Sequence, residues 1–141
     1  MKVFLDTNIF LDYLQERSPG SEHAHKILKL AEINQIQACT TAISLSNVIY
    51  VLNRGLFKRN EISRSISELL EFVEIIQTLS TYFLQAFHSR FEDLEDGLQY
   101  SSALNDSKIF YFITQNKKHF RNAVETLPVL TAKEFVEQEF I

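Results

Sequence analysis

Residues 2–10 read KVFLDTNIF, a short apolar run that passes directly into a polar triplet and then back into apolar residues. An unbroken apolar run of this length predicts a strand that is buried on both faces of a sheet. The triplet Asp6-Thr7-Asn8 consists of residue types preferred at helix N-caps, and apolar residues then recur at helical spacing up to Leu14. The segment therefore predicts a strand, a tight turn and a helix.

The rest of the chain repeats this alternation of strand and helix patterns. Ile109–Ile113 reads IFYFI and is the most apolar of the later strand candidates. The other predicted strands are Ile36–Thr41, Phe72–Ile76 and Pro128–Leu130. Apolar periodicity predicts helices over Ser21–Asn34, Ser44–Leu56, Asn60–Leu70, Thr81–Arg90 and Leu94–Leu104, and a last helix that begins at Thr131. Strands that alternate with helices predict an α/β fold, a three-layer α/β/α sandwich with a short, mostly parallel central sheet.

Length and composition predict an ordinary globular protein. The 141 residues fit a single domain over residues 1–141, and a hydrophobic content of 45% is enough for its core. Cys39 is the only cysteine, and its place in a predicted strand favours a buried structural thiol in a reducing compartment. Asp6 and Asp12 interrupt the N-terminal apolar run, and no apolar stretch approaches the ~18 residues that span a bilayer. We therefore expect a soluble, cytoplasmic protein.

The charge balance argues against one class of nucleic-acid binding and leaves another open. The net charge is −4, from 14 basic and 18 acidic residues. This argues against a protein that holds nucleic acid mainly through a broad basic face. It does not argue against an enzyme that meets phosphates through metal ions held by carboxylates, because the ion supplies the positive charge.

Acidic and polar residues follow the predicted strands, where open parallel sheets carry their sites. Asp6 follows the first strand directly, and Thr114-Gln115-Asn116 follows the strand Ile109–Ile113. Mg²⁺ and Mn²⁺ prefer oxygen ligands, and one or two carboxylates with amide or hydroxyl oxygens suffice for them. Between these strand ends, four carboxylates are concentrated at the start of a predicted helix, at Glu92, Asp93, Glu95 and Asp96.

Each of these features also has a purely structural explanation. Asp6 fits the N-cap of the following helix. The acidic segment fits a first turn that complements the helix dipole, with Leu94 and Leu98 on the packed face and Asp96 on the opposite side. The Thr-Gln-Asn triplet that begins at Thr114 fits a simple turn. Taken one at a time, the structural explanation is favoured in every case.

The ordered set of motifs resembles the PIN domain family. Its N-terminal motif is a strand followed by an Asp-Thr-Asn triplet, here beginning at Asp6. Its later motif is an Asp before an apolar, alanine-containing helix, similar to Asp96–Ala103, followed by a strand and by Thr114-x-Asn116. Phe120–Phe135 is also similar to the family's closing strand and helix. The resemblance covers nearly the whole chain in the right order and spacing.

The resemblance implies a metal-dependent endoribonuclease that is the toxin of a toxin–antitoxin pair. It implies Asp6 and Asp96 as the principal ligands of Mg²⁺ or Mn²⁺, Asp93 as an additional acidic group, and Asn116 as a fourth catalytic residue. Asn8 is expected to hold Asp6 through a hydrogen bond. The implied partners are an RNA substrate, a second copy of the chain and an antitoxin protein. The residues expected beside the ligands or the substrate are Thr7, Asn8, Asn47, Glu95 and Thr114.

One position departs from the family pattern. The family usually places a Glu in the helix after the second strand, and Asn47 stands there in this chain. An amide oxygen accepts hydrogen bonds but brings no charge, so we expect a lower affinity for the metal. The alternative function is therefore a degenerate PIN domain that binds RNA or protein without cleavage.

Basic residues near the predicted cleft are candidates for RNA contact, with a solvated surface as the alternative. They form two groups along the chain, and the candidates singled out for RNA contact are Arg54 from the first and Lys117 from the second. The full groups are Arg54, Lys58 and Arg59 after the third predicted helix, and Lys117, Lys118, His119 and Arg121 after Asn116.

Two other classes of protein, one of them an enzyme class, also use an Asp at the end of a strand. A phosphatase with an Asp nucleophile wants a second Asp two residues later for acid–base work, and that position is Asn8. A phospho-acceptor receiver domain would want an acidic pair just before the strand ends, and Phe4-Leu5 offers none. Both classes are disfavoured.

Overall fold

A computed structural model describes residues 1–140 of the chain. It contains five strands, which are β1 (Lys2–Leu5), β2 (Gln37–Thr41), β3 (Val73–Ile76), β4 (Ile109–Ile113) and β5 (Val129–Leu130). The helices are α1 (Thr7–Leu14), α2 (Ser21–Glu32), α3 (Ala42–Arg54), α4 (Arg59–Leu69), α5 (Ser80–His88), α6 (Leu94–Leu104) and α7 (Ala132–Phe140). A short 3₁₀ helix, Lys117–Phe120, follows β4.

The five strands form one sheet in the order β3-β2-β1-β4-β5, and every neighbouring pair is parallel. The chain moves to one side of β1 when it adds β2 and β3, and to the other side when it adds β4 and β5. The strand order therefore reverses beside β1, and open α/β sheets bind their ligands at such a switch point. The carboxyl ends of β1 and β4 meet there, and the Asp6 amide donates to the Ile113 carbonyl at 2.9 Å.

Two hydrophobic cores lie on opposite faces of the sheet. Successive residues of a strand point to opposite faces, so Val3 and Leu5 join one core while Phe4 joins the other. The first core packs against α1, α2, α3, α4 and α7, whereas Tyr100 and Ala103 bring α6 to the second. The three-layer α/β/α sandwich predicted from the sequence is confirmed, with a sheet that is parallel throughout the described residues.

Capping interactions explain where several helices begin. The Thr41 hydroxyl accepts from the Ser44 amide at 3.1 Å, so α3 begins at Ala42 rather than at Ser44 as predicted. Thr131 caps α7 reciprocally, because its hydroxyl accepts from the Glu134 amide and its own amide donates to the Glu134 carboxylate. The other predicted bounds agree with the structure to within two residues, and the sequence did not predict the 3₁₀ helix after β4.

Cys39 lies in the interior of β2 and is fully buried, as predicted. Its thiol donates to the Val3 carbonyl, and burial raises its pKa to about 12. Such a thiol stays protonated and packs as a small apolar group. Over residues 1–140, no helix combines the length and the apolar character needed to cross a membrane.

Candidate active site

Asp6 lies at the carboxyl end of β1 and is buried, with 6% of its surface exposed. Its Oδ1 accepts from the Thr7 amide at 2.8 Å, which caps α1, and its Oδ2 accepts from the Thr114 hydroxyl at 2.8 Å. Thr114 reaches this carboxylate because β4 is the immediate neighbour of β1. Asp6 therefore combines the capping role with a fixed position at the edge of the sheet.

The acidic segment before α6 is held against the same edge. Asp93 caps α6, because its side chain accepts from the Asp96 amide at 3.0 Å. The preceding turn crosses closely over Gly97, where an added Cβ would lie 3.2 Å from the Cβ of Phe91. The glycine therefore allows the turn to approach the helix. The Asp96 side chain is 20% exposed and lines an open cleft of about 410 Å³.

The carboxylates lie close enough to perturb one another. Burial raises the pKa of Asp6, partly offset by the hydrogen bonds from Thr114 and Thr7. Burial, followed by repulsion from Asp6 and Asp93, raises the pKa of Asp96 to about 6. Glu95 also has a raised pKa, because of its burial and the charges of Asp93 and Asp6. The site therefore concentrates more negative charge than its protein surroundings neutralise.

The acidic side chains of the site suit a cation that keeps several water ligands better than a cation enclosed by protein ligands alone. Within residues 1–140, no three Asp, Glu, His or Cys side chains converge closely enough to enclose a metal ion by themselves. Mg²⁺ usually keeps several waters and takes one or two carboxylates, and Mn²⁺ shares its preference for oxygen. Asp6 and Asp96, with Asp93 nearby, satisfy that smaller requirement.

Asn47 on α3 faces the acidic segment from the opposite side. Its Nδ2 donates to Glu95 Oε1 at 2.5 Å. The uncharged side chain at this position is therefore paired with a carboxylate that α6 supplies. The sequence indicated both residues as neighbours of the site, but not that they bind each other.

A buried polar network below the carboxylates was not predicted. Gln99 is 1% exposed, donates to the Ser44 hydroxyl at 2.7 Å and accepts from the Thr41 hydroxyl. The Thr7 hydroxyl in turn donates to Ser44 at 3.2 Å. This network joins the amino ends of α1 and α3 to the middle of α6. A polar residue inside the buried stretch from Gly97 to Ala103 is the signal that could have revealed it.

Two expectations about individual residues need correction, those for Asn8 and for Leu94. The hydrogen bonds to Asp6 come from Thr7 and Thr114, whereas Asn8 makes none to it within residues 1–140. Asn116 donates its backbone amide to the Thr114 hydroxyl at 3.1 Å, which agrees with the turn that its triplet fits, and the role predicted for its side chain stays a prediction. Leu94 was placed on the packed face of α6, but it lies at the first residue of the helix and is exposed.

The two basic groups differ in their relation to the carboxylates. Lys117 forms an ion pair with Glu134 of α7 at 3.0 Å, and both side chains are nearly half exposed. Arg54 lies over the ring of Tyr50 and donates to its hydroxyl at 2.8 Å, one turn apart on α3. His119 approaches Asp96, with 3.6 Å between Nδ1 and Oδ2. The basic side chains that line the cleft with Asp93 and Asp96 are Lys118, His119 and Arg121.

Comparison with known proteins assigns the family. The family model described as PIN domain matches residues 2–118. The chain belongs to the PIN domain family. A curated relative, Ribonuclease VapC1 of Aquifex aeolicus (strain VF5), is 29% identical over 142 residues, which cover 97% of this chain and 94% of that protein. A solved structure of VapBC2 from Rickettsia felis, bound to a DNA fragment from their promoter, is similar with a TM-score of 0.70 at 19% identity. That match covers 93% of this chain and 98% of the other.

Membership of the PIN family confirms the resemblance that the motifs indicated. The Rickettsia felis structure supports the PIN-like fold, and at 19% identity it supports the fold alone. The roles predicted for Asp6, Asp93, Asp96 and Asn116 remain predictions. The structure does bring Asp6, Asp93 and Asp96 into mutual electrostatic contact, from β1 and the start of α6.

Proposed function

We propose that this PIN domain is a metal-dependent endoribonuclease that hydrolyses RNA phosphodiesters and acts as the toxin of a toxin–antitoxin pair. The observation that carries the proposal is the group of carboxylates at the switch point of the sheet, where Asp6 and Asp93 help to raise the pKa of Asp96 to about 6. A perturbed carboxylate cluster in a cleft is a typical feature of a functional site. Similarity over nearly the full length to Ribonuclease VapC1 supports the same reaction.

In this proposal Asp6 and Asp96 hold Mg²⁺ or Mn²⁺, and Asp93 adds negative charge beside them. When bound, the ion offsets charge that develops on the phosphate and lowers the pKa of a water. Thr114 and Thr7 keep the Asp6 carboxylate in one orientation through two hydrogen bonds of 2.8 Å. Asn116, next to Thr114 on the chain, is proposed to orient the water or the phosphate.

The RNA is proposed to enter along the cleft that Asp93 and Asp96 share with Lys118 and Arg121. The basic side chains attract the phosphates that flank the cleaved bond, and the carboxylates line the same cleft. Lys117 is a weaker candidate than the sequence indicated, because Glu134 already binds it. Arg54, on the exposed side of α3, remains a candidate for a more distant phosphate or base.

A second candidate function is an RNA-binding or protein-binding PIN domain that does not cleave. The specific observation in its favour is Asn47, which brings no charge to α3 and donates a hydrogen bond to Glu95. The same site residues bind the substrate in both cases, so the two functions differ only in whether the phosphodiester is cut.

We further propose that the chain is cytoplasmic, that it forms a homodimer and that it binds an antitoxin protein. The exposed side of α5 carries Phe83, Leu84 and Phe87, and exposed apolar patches mark surfaces where proteins associate. The Rickettsia felis neighbour was solved as VapBC2 with promoter DNA, which supports a protein partner here. Light scattering of the purified chain tests the homodimer, for which the measured molar mass should be twice that of one chain.

Cleavage of RNA tests the proposed function. The purified chain is incubated with a mixed panel of single-stranded and folded RNAs in buffer that contains Mn²⁺ or Mg²⁺. The controls are the same chain in EDTA and the variant Asp6→Asn with the metal. We expect cleavage that needs the metal and falls at least 100-fold in the variant, because Asp6 is a proposed ligand. Cleavage that persists in EDTA or in Asp6→Asn would contradict the proposal. Metal binding without cleavage would instead favour the non-cleaving domain.

A further inference from the structure

The turn that follows β4 is held by hydrogen bonds on two sides. The Thr114 hydroxyl donates to Asp6 Oδ2 at 2.8 Å and accepts from the Asn116 amide at 3.1 Å. Between these two residues, Gln115 extends to α1 instead, where its Nε2 donates to Asp12 Oδ2 at 3.0 Å. The turn is therefore tied both to the candidate metal ligand Asp6 and to the far end of the helix that Asp6 caps.

Asp12 offers the Gln115 amide an acceptor that is itself held in place. Asp12 is buried, and its Oδ1 accepts from Arg17 Nε at 2.9 Å, which leaves Oδ2 for Gln115. A buried carboxylate needs such hydrogen bonds, so both of its contacts are expected to persist. Asp6 and Asp12 lie at the two ends of α1 and bind successive residues after β4, and α1 thereby sets where the turn lies.

Gly20 leaves the space in which this contact forms. Its carbonyl also accepts from Gln115 Nε2, at 3.4 Å. A Cβ added at Gly20 would overlap Asp12 Oδ2 and would lie 2.6 Å from Gln115 Nε2. The φ angle of Gly20 is −76°, which an alanine adopts without strain. Substitution of this glycine would therefore act on the contact between Asp12 and Gln115 rather than on the backbone.

We propose that Gln115 is a positioning residue of the candidate site, which keeps the turn after β4 in place through its hydrogen bond to Asp12. It acts through its two neighbours, because Thr114 orients the Asp6 carboxylate and Asn116 is proposed to orient the water or the phosphate. Gln115 itself binds α1 and does not contact the RNA. The Thr-x-Asn motif leaves this middle position open, so the role comes from the contacts of this chain. The inference rests on the proposed function.

Amide hydrogen exchange in EDTA tests the positioning without RNA or metal. Gln115→Met removes the donor at similar size, and Gly20→Ala displaces the contact from outside. In both variants we expect the Thr114 and Asn116 amides to exchange about tenfold faster, because the turn then opens locally at a lower cost. Gln115→Lys supplies a donor again and should bring both rates to within about threefold of the wild type. Equal acceleration throughout β1 and β4 would show a general loss of stability and would overturn the inference.

Cleavage kinetics with Mn²⁺ separate positioning from substrate binding. Gln115→Met and Gly20→Ala should lower kcat about tenfold or more and leave KM within about threefold, because a small displacement slows the reaction while the RNA contacts of the cleft remain. Gln115→Lys should restore kcat to within about threefold of the wild type. A kcat for Gln115→Met within about twofold of the wild type would overturn the inference. So would a reduced kcat without faster exchange at Thr114 and Asn116.

The matched control is Gln138→Met, which deletes a hydrogen bond of 3.0 Å from α7 to the Tyr111 hydroxyl on β4. It makes the same change of side chain outside the candidate site, so kcat and the exchange of Thr114 should stay within about twofold of the wild type. A loss of kcat as large as that of Gln115→Met would contradict the inference. If the wild type cuts no RNA, the proposed function fails. If it does and Gln115→Met equals it in kcat and exchange, the inference alone fails.

Discussion

Asp6 shows how one side chain serves the fold and the candidate site together. Its Oδ1 accepts from the amide that begins α1, and its Oδ2 accepts from Thr114 across the neighbouring strand end. A buried carboxylate is costly unless hydrogen bonds satisfy it, and these two bonds reduce that cost without neutralising the charge. Burial raises the pKa of Asp96 and of Glu95, and the remaining negative charge of Asp6 raises both further.

Asp96 is expected to make the metal-free protein less stable as the pH rises. Its folded pKa of about 6 lies above the ordinary 3.8, so the folded chain binds its proton more tightly than the unfolded chain. The stability that this proton contributes is complete below about pH 4 and is lost as the pH rises through 6. In EDTA at pH 7.5, Asp96→Asn should therefore raise the Tm by about 3 °C or more, as measured by calorimetry.

At pH 4 the same substitution should leave the Tm nearly unchanged, because Asp96 is then protonated in the folded chain. The raised pKa values of Asp6 and Glu95 leave part of the pH dependence in place in the variant. An Asp96→Asn protein that is less stable than the wild type at pH 7.5 would refute the electrostatic account of this residue.

At the scale of elements, the contact between α3 and α6 positions the acidic segment. Gln99 lies inside this contact and binds both Ser44 and Thr41. Replacement of its amide by an apolar group of similar size leaves two buried hydroxyls with fewer partners. Gln99→Met should therefore lower the free energy of unfolding by about 1–3 kcal/mol, as measured by urea denaturation.

Gln77→Met is the control for the same change of side chain, since Gln77 is exposed and lies outside the elements. It should change the free energy of unfolding by less than about 0.5 kcal/mol. Equal effects of the two substitutions would contradict this prediction, because the buried network would then contribute no more to the free energy of unfolding than an exposed side chain does.

The elements and their order could be read from the sequence, but the contacts between them could not. The apolar runs of β1 and β4 and the capping types at Asp6 and Thr131 are local signals, and they predicted elements close to those observed. Gln99 and Ser44 are 55 positions apart, and no local pattern pairs them. The ion pair of Lys117 could not be predicted for the same reason, because Glu134 joins it from α7 only in the folded chain.

At the scale of the molecule, the topology explains why the carboxylates meet. β1 lies in the centre of a parallel sheet, and the strand order reverses beside it. The connection that follows β3 runs through α5 to α6, whose acidic start then lies above the end of β1 and close to Asp6. The sequence predicted this edge of the sheet as the location of the site. It could not give the distances, because they depend on how α6 packs against α5, β4 and β2.

The single domain over residues 1–141 remains a prediction, as does the choice between Mg²⁺ and Mn²⁺. The PIN family and the parallel α/β/α architecture are established by the family match and by the sheet order. The chemistry of the site depends on whether its carboxylates bind a cation together.

Calorimetric titration of the metal-free chain with Mn²⁺ at pH 7.5 tests that requirement most directly. One site per chain is expected for the wild type, with binding lost in both Asp6→Asn and Asp96→Asn, because the two carboxylates reach one ion from β1 and from α6. Asp96→Asn should lose the metal while it gains thermal stability in EDTA, which excludes unfolding as the cause. Absence of binding to the wild type, or undiminished binding to both variants, would contradict the assignment of this carboxylate cluster as the metal site.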